Sequence, residues 1–221
     1  MRFGIYVSQK STRFRKAVIE RILTKENTAF AVTDYYDTQE LDLICKDYEI
    51  PLYRSLWREK GLTGKERNEF ISDSFLSLLN KYNCDYAFLL GCELLLQGKI
   101  LSEYHNKIIN FHCSLLPAYK AGYENSGFKV IDKALEENAI FLGNTAHFIN
   151  EKADEGTIIM QSIMPARKFA GHDSVLDMIV PMLKQIICWL EEERFVFAEN
   201  QRFYIKDAKY ELDSYVPNLE R

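Results

Sequence analysis

Apolar residues follow two rhythms along this chain. Short runs rich in apolar residues occur at 2–8 (RFGIYVS), 28–35 (TAFAVTDY), 86–91 (YAFLLG) and 107–113 (KIINFHC), with a shorter one at 51–56. Runs of that length and composition predict strands, and the nearly continuous ones at 86–91 and 107–113 predict central strands buried on both faces. Between them the apolar positions recur every three or four residues. Val18, Ile19, Ile22 and Leu23 mark a helix over 11–23, a second is expected over 39–48, and Phe70, Ile71, Phe75, Leu78 and Leu79 mark an amphipathic helix over 64–82. Strands that alternate with helices predict a parallel sheet, because a parallel pair needs a crossover connection.

The second half changes character. After a polar, Gly-containing stretch at 118–127, a helix is expected over 128–137 and strands over 143–150 and 156–166. The link between those strands, EKADE, is too short for a helical crossover, so the pair is predicted antiparallel. His172, Asp173 and Ser174 read as the start of one long helix reaching about residue 193, with Asp173 or Ser174 as its cap. The tail alternates like a peripheral hairpin. The expected fold class is therefore α/β: a Rossmann-like, doubly wound, mostly parallel sheet with an antiparallel strand pair and a C-terminal hairpin. Ligands of such sheets lie beyond the carboxyl ends of the strands, where Asn110, Phe111, His112 and Cys113 fall.

Composition agrees with one folded unit. The chain has 221 residues, 47% hydrophobic and 27% charged, with 14 Phe and 13 Tyr, enough apolar surface for a sizeable core. The formal net charge of −4 and scattered basic residues argue against nucleic acid as a partner. No apolar run is long enough to cross a bilayer and the first residues lack the order of a signal peptide, so a cytoplasmic protein is expected. Cys45, Cys84, Cys92, Cys113 and Cys188 are widely spaced and lack a C-x-x-C pair, which predicts reduced thiols, with Cys113 as a small buried one.

Several chemistries lose their footing. No G-x-G-x-x-G follows the first strand, and GLTGK at 61–65 is too short for a phosphate-cradling loop. The histidines His105, His112, His147 and His172 are far apart and show no metal-ligand spacing, so no metal is expected. No G-x-S-x-G elbow is present.

What remains is Asn110-Phe111-His112-Cys113-Ser114-Leu115-Leu116-Pro117, then Thr145-Ala146-His147, then Asp154-Glu155-Gly156 followed by Ile158, Ile159 and Gln161. In order and spacing this set resembles the formyltransferase superfamily, with its Asn-x-His and S-L-L-P, its T-x-H strand and its later D-x-G. The resemblance implies transfer of a formyl group from 10-formyltetrahydrofolate to an amine. It makes Asn110, His112 and Asp154 catalytic: Asn110 and His112 donate to the developing oxyanion, while Asp154 orients His112 and helps relay the proton. Ser114 and His147 are supporting, Ser114 shaping the turn and His147 bracing the sheet or the aspartate loop or touching ligand. It implies a folate pocket at Leu94, Leu95, Leu96, Asn150, Ala153, Glu155 and Gly156. Residues 1–195 would form the catalytic domain and 196–221 an extension packed on it.

The acceptor side departs from the family. Glycinamide ribonucleotide enzymes hold their substrate phosphate on a Gly- and Ser-rich turn after the first strand, and this chain has Ser8-Gln9-Lys10-Ser11-Thr12-Arg13 instead. Lys10, Ser11, Thr12 and Arg13 can hold a phosphate by charge and hydroxyl contacts, with a solvated basic turn as the alternative, and Glu93 stands where bulky apolar residues are usual. A small phosphorylated amine is expected, either glycinamide ribonucleotide or a nucleotide-linked amino sugar. A formyltetrahydrofolate hydrolase and a non-catalytic folate-binding protein of the same fold stay open.

Overall fold

The computed structural model describes residues 1–8, 12–34, 39–91, 95–120, 128–198 and 203–220. Two compact units divide the chain, Met1–Asn110 with Ile149–Lys152, and Phe111–Phe148 with Ala153–Arg221.

The first unit realises the predicted alternation. Its elements are β1 (Phe3–Val7), α1 (Thr12–Ile19), β2 (Thr28–Thr33), α2 (Gln39–Asp47), β3 (Leu52–Arg54), α3 (Gly64–Lys81), β4 (Tyr86–Leu90), α4 (Lys99–Glu103) and β5 (Ile108–His112), whose last two residues pass into the second unit. Among the described residues every strand pairing within this unit is parallel, and the strand order is β5-β4-β1-β2-β3. All residues of β1 and β2 are buried, as strands covered on both faces must be. Helix α3 lays Ile71, Phe75 and Leu79 into a cluster with Tyr6, Phe30, Leu89 and Ile108. The Phe75 ring meets Tyr6 and Phe30 edge-on at centroid distances of 5.5 and 6.0 Å.

Helix α1 stops at Ile19 although the apolar spacing runs on to Leu23. Arg21 adopts a left-handed φ of 60°, and the Ile22 N–H reaches back to the Ala17 carbonyl at 2.9 Å, which closes the helix with a left-handed cap. Ile22 and Leu23 are buried beyond that turn, so their apolar character reports burial rather than continued helix. The short α4 is an element that the apolar rhythm did not predict.

The second unit contains α5 (Lys129–Glu136), β6 (Phe141–Phe148), β7 (Ile158–Pro165), α6 (His172–Leu176), α7 (Ile179–Glu191), β8 (Phe195–Phe197), β9 (Phe203–Ile205) and β10 (Tyr215–Val216). Strands β6 and β7 are antiparallel, as their short link requires. The expected single helix over 172–193 is instead two. Pro181 has no N–H to donate and its ring crowds the carbonyl four residues back, at Asp177, so the chain breaks there and restarts with Pro181 in the first turn of α7. The expected cap is absent too: Ser174 Oγ donates to the Gly171 carbonyl at 2.6 Å, and α6 has no side-chain cap bond.

The tail forms the predicted hairpin from β8 and β9, then adds something more. β10 pairs antiparallel with the edge of β7, Tyr215 opposite Ser162 and Val216 opposite Gln161. Beyond it, Glu220 accepts from Arg194 at 2.6 and 2.8 Å and from the Trp189 indole at 3.2 Å, fastening the end of the chain to α7.

Candidate active site

The site begins at the end of β5. Asn110 and His112 are two apart on one strand and therefore share a face, with Phe111, 3% exposed, turned to the other. His112 is buried. Its Nε2 lies 2.8 Å from the Tyr119 carbonyl, and since a carbonyl only accepts, Nε2 is the donor. Its Nδ1 faces Asp154 Oδ1 at 3.6 Å, an ion-pair separation rather than a direct hydrogen bond.

Asp154 reaches that position through its backbone. It sits in the link between β6 and β7 with a left-handed φ of 56°, a conformation that Asp tolerates better than most side chains. Gly156, two residues on, packs so closely that a Cβ there would stand 1.6 Å from the Phe148 carbonyl. No other residue type holds the aspartate loop this tightly against the end of β6.

His147 shares the same carboxylate, its Nε2 3.7 Å from Asp154 Oδ1, while its Nδ1 donates to the Phe148 carbonyl at 2.8 Å. The β6–β7 register shifts between Ala146 and His147, where the extra residue, Ile159, lies on β7, so that β6 keeps its alternation through His147. Burial lowers the His147 pKa, and the Phe148 carbonyl and Asp154 oppose that effect only in part. His147 is thus a buried, neutral ring anchored to the Phe148 carbonyl, next to the aspartate loop.

A clamp built on Thr145 holds the turn after His112. The Thr145 hydroxyl donates to the Ser114 carbonyl at 2.7 Å and accepts the Leu116 N–H at 3.0 Å. Gln161 Nε2 donates to Thr145 Oγ1 and to the Leu116 carbonyl, both at 3.0 Å. Ser114 Oγ donates to the Tyr119 carbonyl at 2.5 Å, the same oxygen that His112 meets. Thr145 and Gln161 figure in the sequence motifs without a role, and the signal available for one was position: Thr145 is two before His147 and shares its face. Tyr119 carries no motif at all, because its contribution is a backbone oxygen.

Other expected residues are dispersed. Leu96 belongs to the core of the first unit, whereas Leu95 is exposed. Asn150 Oδ1 accepts the Lys152 N–H at 2.9 Å, and Glu155 pairs with Lys120 at 2.7 Å. Arg13, on α1, is 9% exposed and makes no hydrogen bond or ion pair among the described residues. Its guanidinium lies beside Gly91, where an added Cβ would stand 3.6 Å from Nη2. Thr12 opens α1 and is half-buried. Lys10, Ser11, Glu93 and Leu94 lie outside the described residues. Cys113 is half-buried rather than buried, since it lies on the rim of a small cleft with Val130 and Leu142. Burial pushes the Cys45 and Cys84 thiols up to about 12 and about 11, which makes them inert core residues. Among the described residues no group of His, Cys, Asp and Glu is placed to hold a metal ion.

A parallel strand that ends in an Asn-x-His step, with a carboxylate returned to the His by the link of an antiparallel pair, marks a class of α/β proteins. Residues 4–179 match the model of the formyl transferase family, and the chain belongs to that family. It is 32% identical over 134 residues to the formyltetrahydrofolate deformylase of Escherichia coli K12, covering 61% of this chain and 43% of that protein. It is 36% identical over 99 residues to the chloroplastic phosphoribosylglycinamide formyltransferase of Arabidopsis thaliana, covering 44% and 34%. The matches thus span less than half the length of these curated relatives. Among solved structures, glycinamide ribonucleotide transformylase 1 of Symbiobacterium toebii superposes with a TM-score of 0.75 at 23% identity, over 94% of each chain. A formyltetrahydrofolate deformylase of Pseudomonas syringae gives 0.74 at 18% identity, over 93% of this chain and 66% of that one. These two likenesses show the fold.

Proposed function

We propose that this chain transfers a formyl group from 10-formyltetrahydrofolate to the primary amine of a small phosphorylated acceptor, either glycinamide ribonucleotide or a nucleotide-linked amino sugar. The observation that carries the reading is the approach of Asp154 to His112 Nδ1 at 3.6 Å while the opposite nitrogen of the ring presents a donor. In the proposed reaction the amine attacks the formyl carbon, a C–N bond forms, and the carbonyl oxygen becomes an oxyanion. Asn110 and the His112 Nε2–H donate to it, the substrate oxygen taking the place of the Tyr119 carbonyl. The intermediate collapses with cleavage of the bond to the folate nitrogen, and the proton lost by the amine ends on that nitrogen. Asp154 faces any proton held on Nδ1 and so serves the relay. No covalent bond to the protein is required.

The residue types suit the two ligands. The folate is assigned to main chain at residues 94–96 and 150–156, and the acceptor phosphate to residues 10–13. A buried guanidinium without an anion is costly, and an acceptor phosphate at Arg13 supplies one. The reading takes 1–195 as the catalytic domain with 196–221 as its extension, and a cytoplasmic location. Among the described residues no helix is long and apolar enough to cross a membrane.

A second reading, hydrolysis of the same donor, is favoured by the deformylase relative, since water can replace the amine at the same three residues. Tetrahydrofolate release measured with and without candidate amines separates the readings. Release that depends on an amine is expected. Release indifferent to every amine identifies a hydrolase, and no release under any condition identifies a folate binder.

A further inference from the structure

Outside the catalytic residues, polar groups collect at the carboxyl edge of the first unit in a way that the core does not explain. Val7 pairs with Thr33, and Thr33 with Arg54, so the next residues, Ser8, Asp34 and Ser55, stand side by side at the ends of β1, β2 and β3. All three are buried, at 2, 6 and 5% exposure. Ser8 Oγ donates to one carboxylate oxygen of Asp34 at 2.8 Å. Among the described residues Ser55 Oγ has no hydrogen-bond partner, and neither has the buried indole N–H of Trp57 in the loop that follows β3. A buried polar group left unsatisfied in a native fold calls for a cause, and a ligand is one.

Positive charge surrounds this row. Arg58 bends back to donate to the Asp34 carbonyl, and its guanidinium lies 4.2 Å from the centre of the Trp57 ring. Arg67, from the first turns of α3, lies 5.4 Å from that ring centre. Both cations act on the Asp34 carboxylate. A carboxylate that accepts from hydroxyls, beside two guanidiniums that donate to phosphate, is a complementary set for a phosphorylated, hydroxyl-rich molecule.

Position selects its length. Asn110 lies on the same carboxyl edge, and β2 and β3 are three and four places from β5 in the strand order. At about 4.8 Å per place the row lies roughly 14 to 19 Å from Asn110. Glycinamide ribonucleotide, a single ribose phosphate with a short amine arm, spans less than that. We propose that the β1–β2–β3 edge binds the nucleoside-diphosphate end of a nucleotide-linked amine, with Asp34 and Ser55 receiving hydroxyls and Arg58 and Arg67 the phosphates; the phosphate place at residues 10–13 then belongs to the ribonucleotide alternative alone.

The proposal rests on the formyl-transfer reading for the amine, but its test needs no folate. The intact protein is titrated calorimetrically with the diphosphates of uridine, thymidine, guanosine and adenosine, and with inorganic pyrophosphate. At least one nucleotide binds saturably, and Arg67→Ala and Arg58→Ala each weaken it about tenfold. Asp34→Asn weakens the nucleotide by a similar factor, while pyrophosphate, which has no hydroxyl, binds that variant at least as well as wild type. Absence of saturable binding by all four nucleotides overturns the proposal. So does equal affinity for wild type and the arginine variants, or equal weakening of nucleotide and pyrophosphate by Asp34→Asn. Nucleotide binding without any formyl release would instead overturn the transfer reading and leave this site standing.

Discussion

Thr145 holds the turn after His112 through a single side chain. Its one hydroxyl serves two backbone groups of the turn after His112 and the Gln161 amide. Thr145→Val keeps the shape and removes all three bonds, leaving the Leu116 N–H buried without that partner. A loss of about 1–3 kcal/mol in denaturant unfolding is expected, with kcat falling more than KM rises, and Thr145→Ser restoring most of both. His147 makes a pH prediction. Its folded pKa is lowered by burial below the ordinary 6.5, so the unfolded chain binds the proton more readily. Its contribution to stability is complete above about 6.5 and is lost as pH falls through the folded value. His147→Gln should flatten the decline of unfolding free energy below pH 6.5. An unchanged slope would contradict the buried, neutral ring. Asp34 has the opposite sign. Burial raises its carboxyl pKa against the opposing Ser8 bond, so ionisation at neutral pH costs the fold stability. Asp34→Asn should raise Tm at pH 7, a gain that makes sense of the acid only if it serves a ligand.

At the scale of elements, the loop between β6 and β7 fixes the site. Gly156→Ala would force a Cβ onto the Phe148 carbonyl, and the aspartate loop must shift to relieve it. Overpacking of this kind costs about 1–3 kcal/mol, and amine-dependent turnover should fall together with Tm. Elements of this sort were legible in the sequence where one physical rule dominated. Alternating apolar runs revealed β1 to β5, and the short EKADE link revealed the antiparallel β6–β7 pair. Where two rules competed, the apolar rhythm misled. It carried α1 past the left-handed cap at Arg21, and it carried one helix through Pro181. The shared face of Asn110 and His112 was readable because strand alternation forces it, whereas their proposed role came from the family resemblance. The Tyr119 carbonyl and the Glu155–Lys120 pair were not readable, since a backbone acceptor and a surface ion pair leave no periodic trace.

For the whole molecule, the tail is a structural part of the second unit. It supplies β10 to the edge of β7 and brings Glu220 to Arg194 and Trp189. Truncation after Lys209 removes both and leaves the β7 edge open to pairing with another chain. A lower Tm and concentration-dependent aggregation in light scattering are expected. An unchanged Tm would show the tail to be dispensable.

In the proposed reaction His112 and Asp154 act as one unit on one carbonyl, and a double-mutant cycle on formyl transfer measures that coupling. Transfer of labelled formyl from 10-formyltetrahydrofolate to the amine is followed in wild type, His112→Ala, Asp154→Asn and the double variant. Each single change should lower kcat about a hundredfold or more, and the double variant should be little worse than the poorer single one. Losses that multiply in the double variant, or an Asp154→Asn enzyme as fast as wild type, would contradict it.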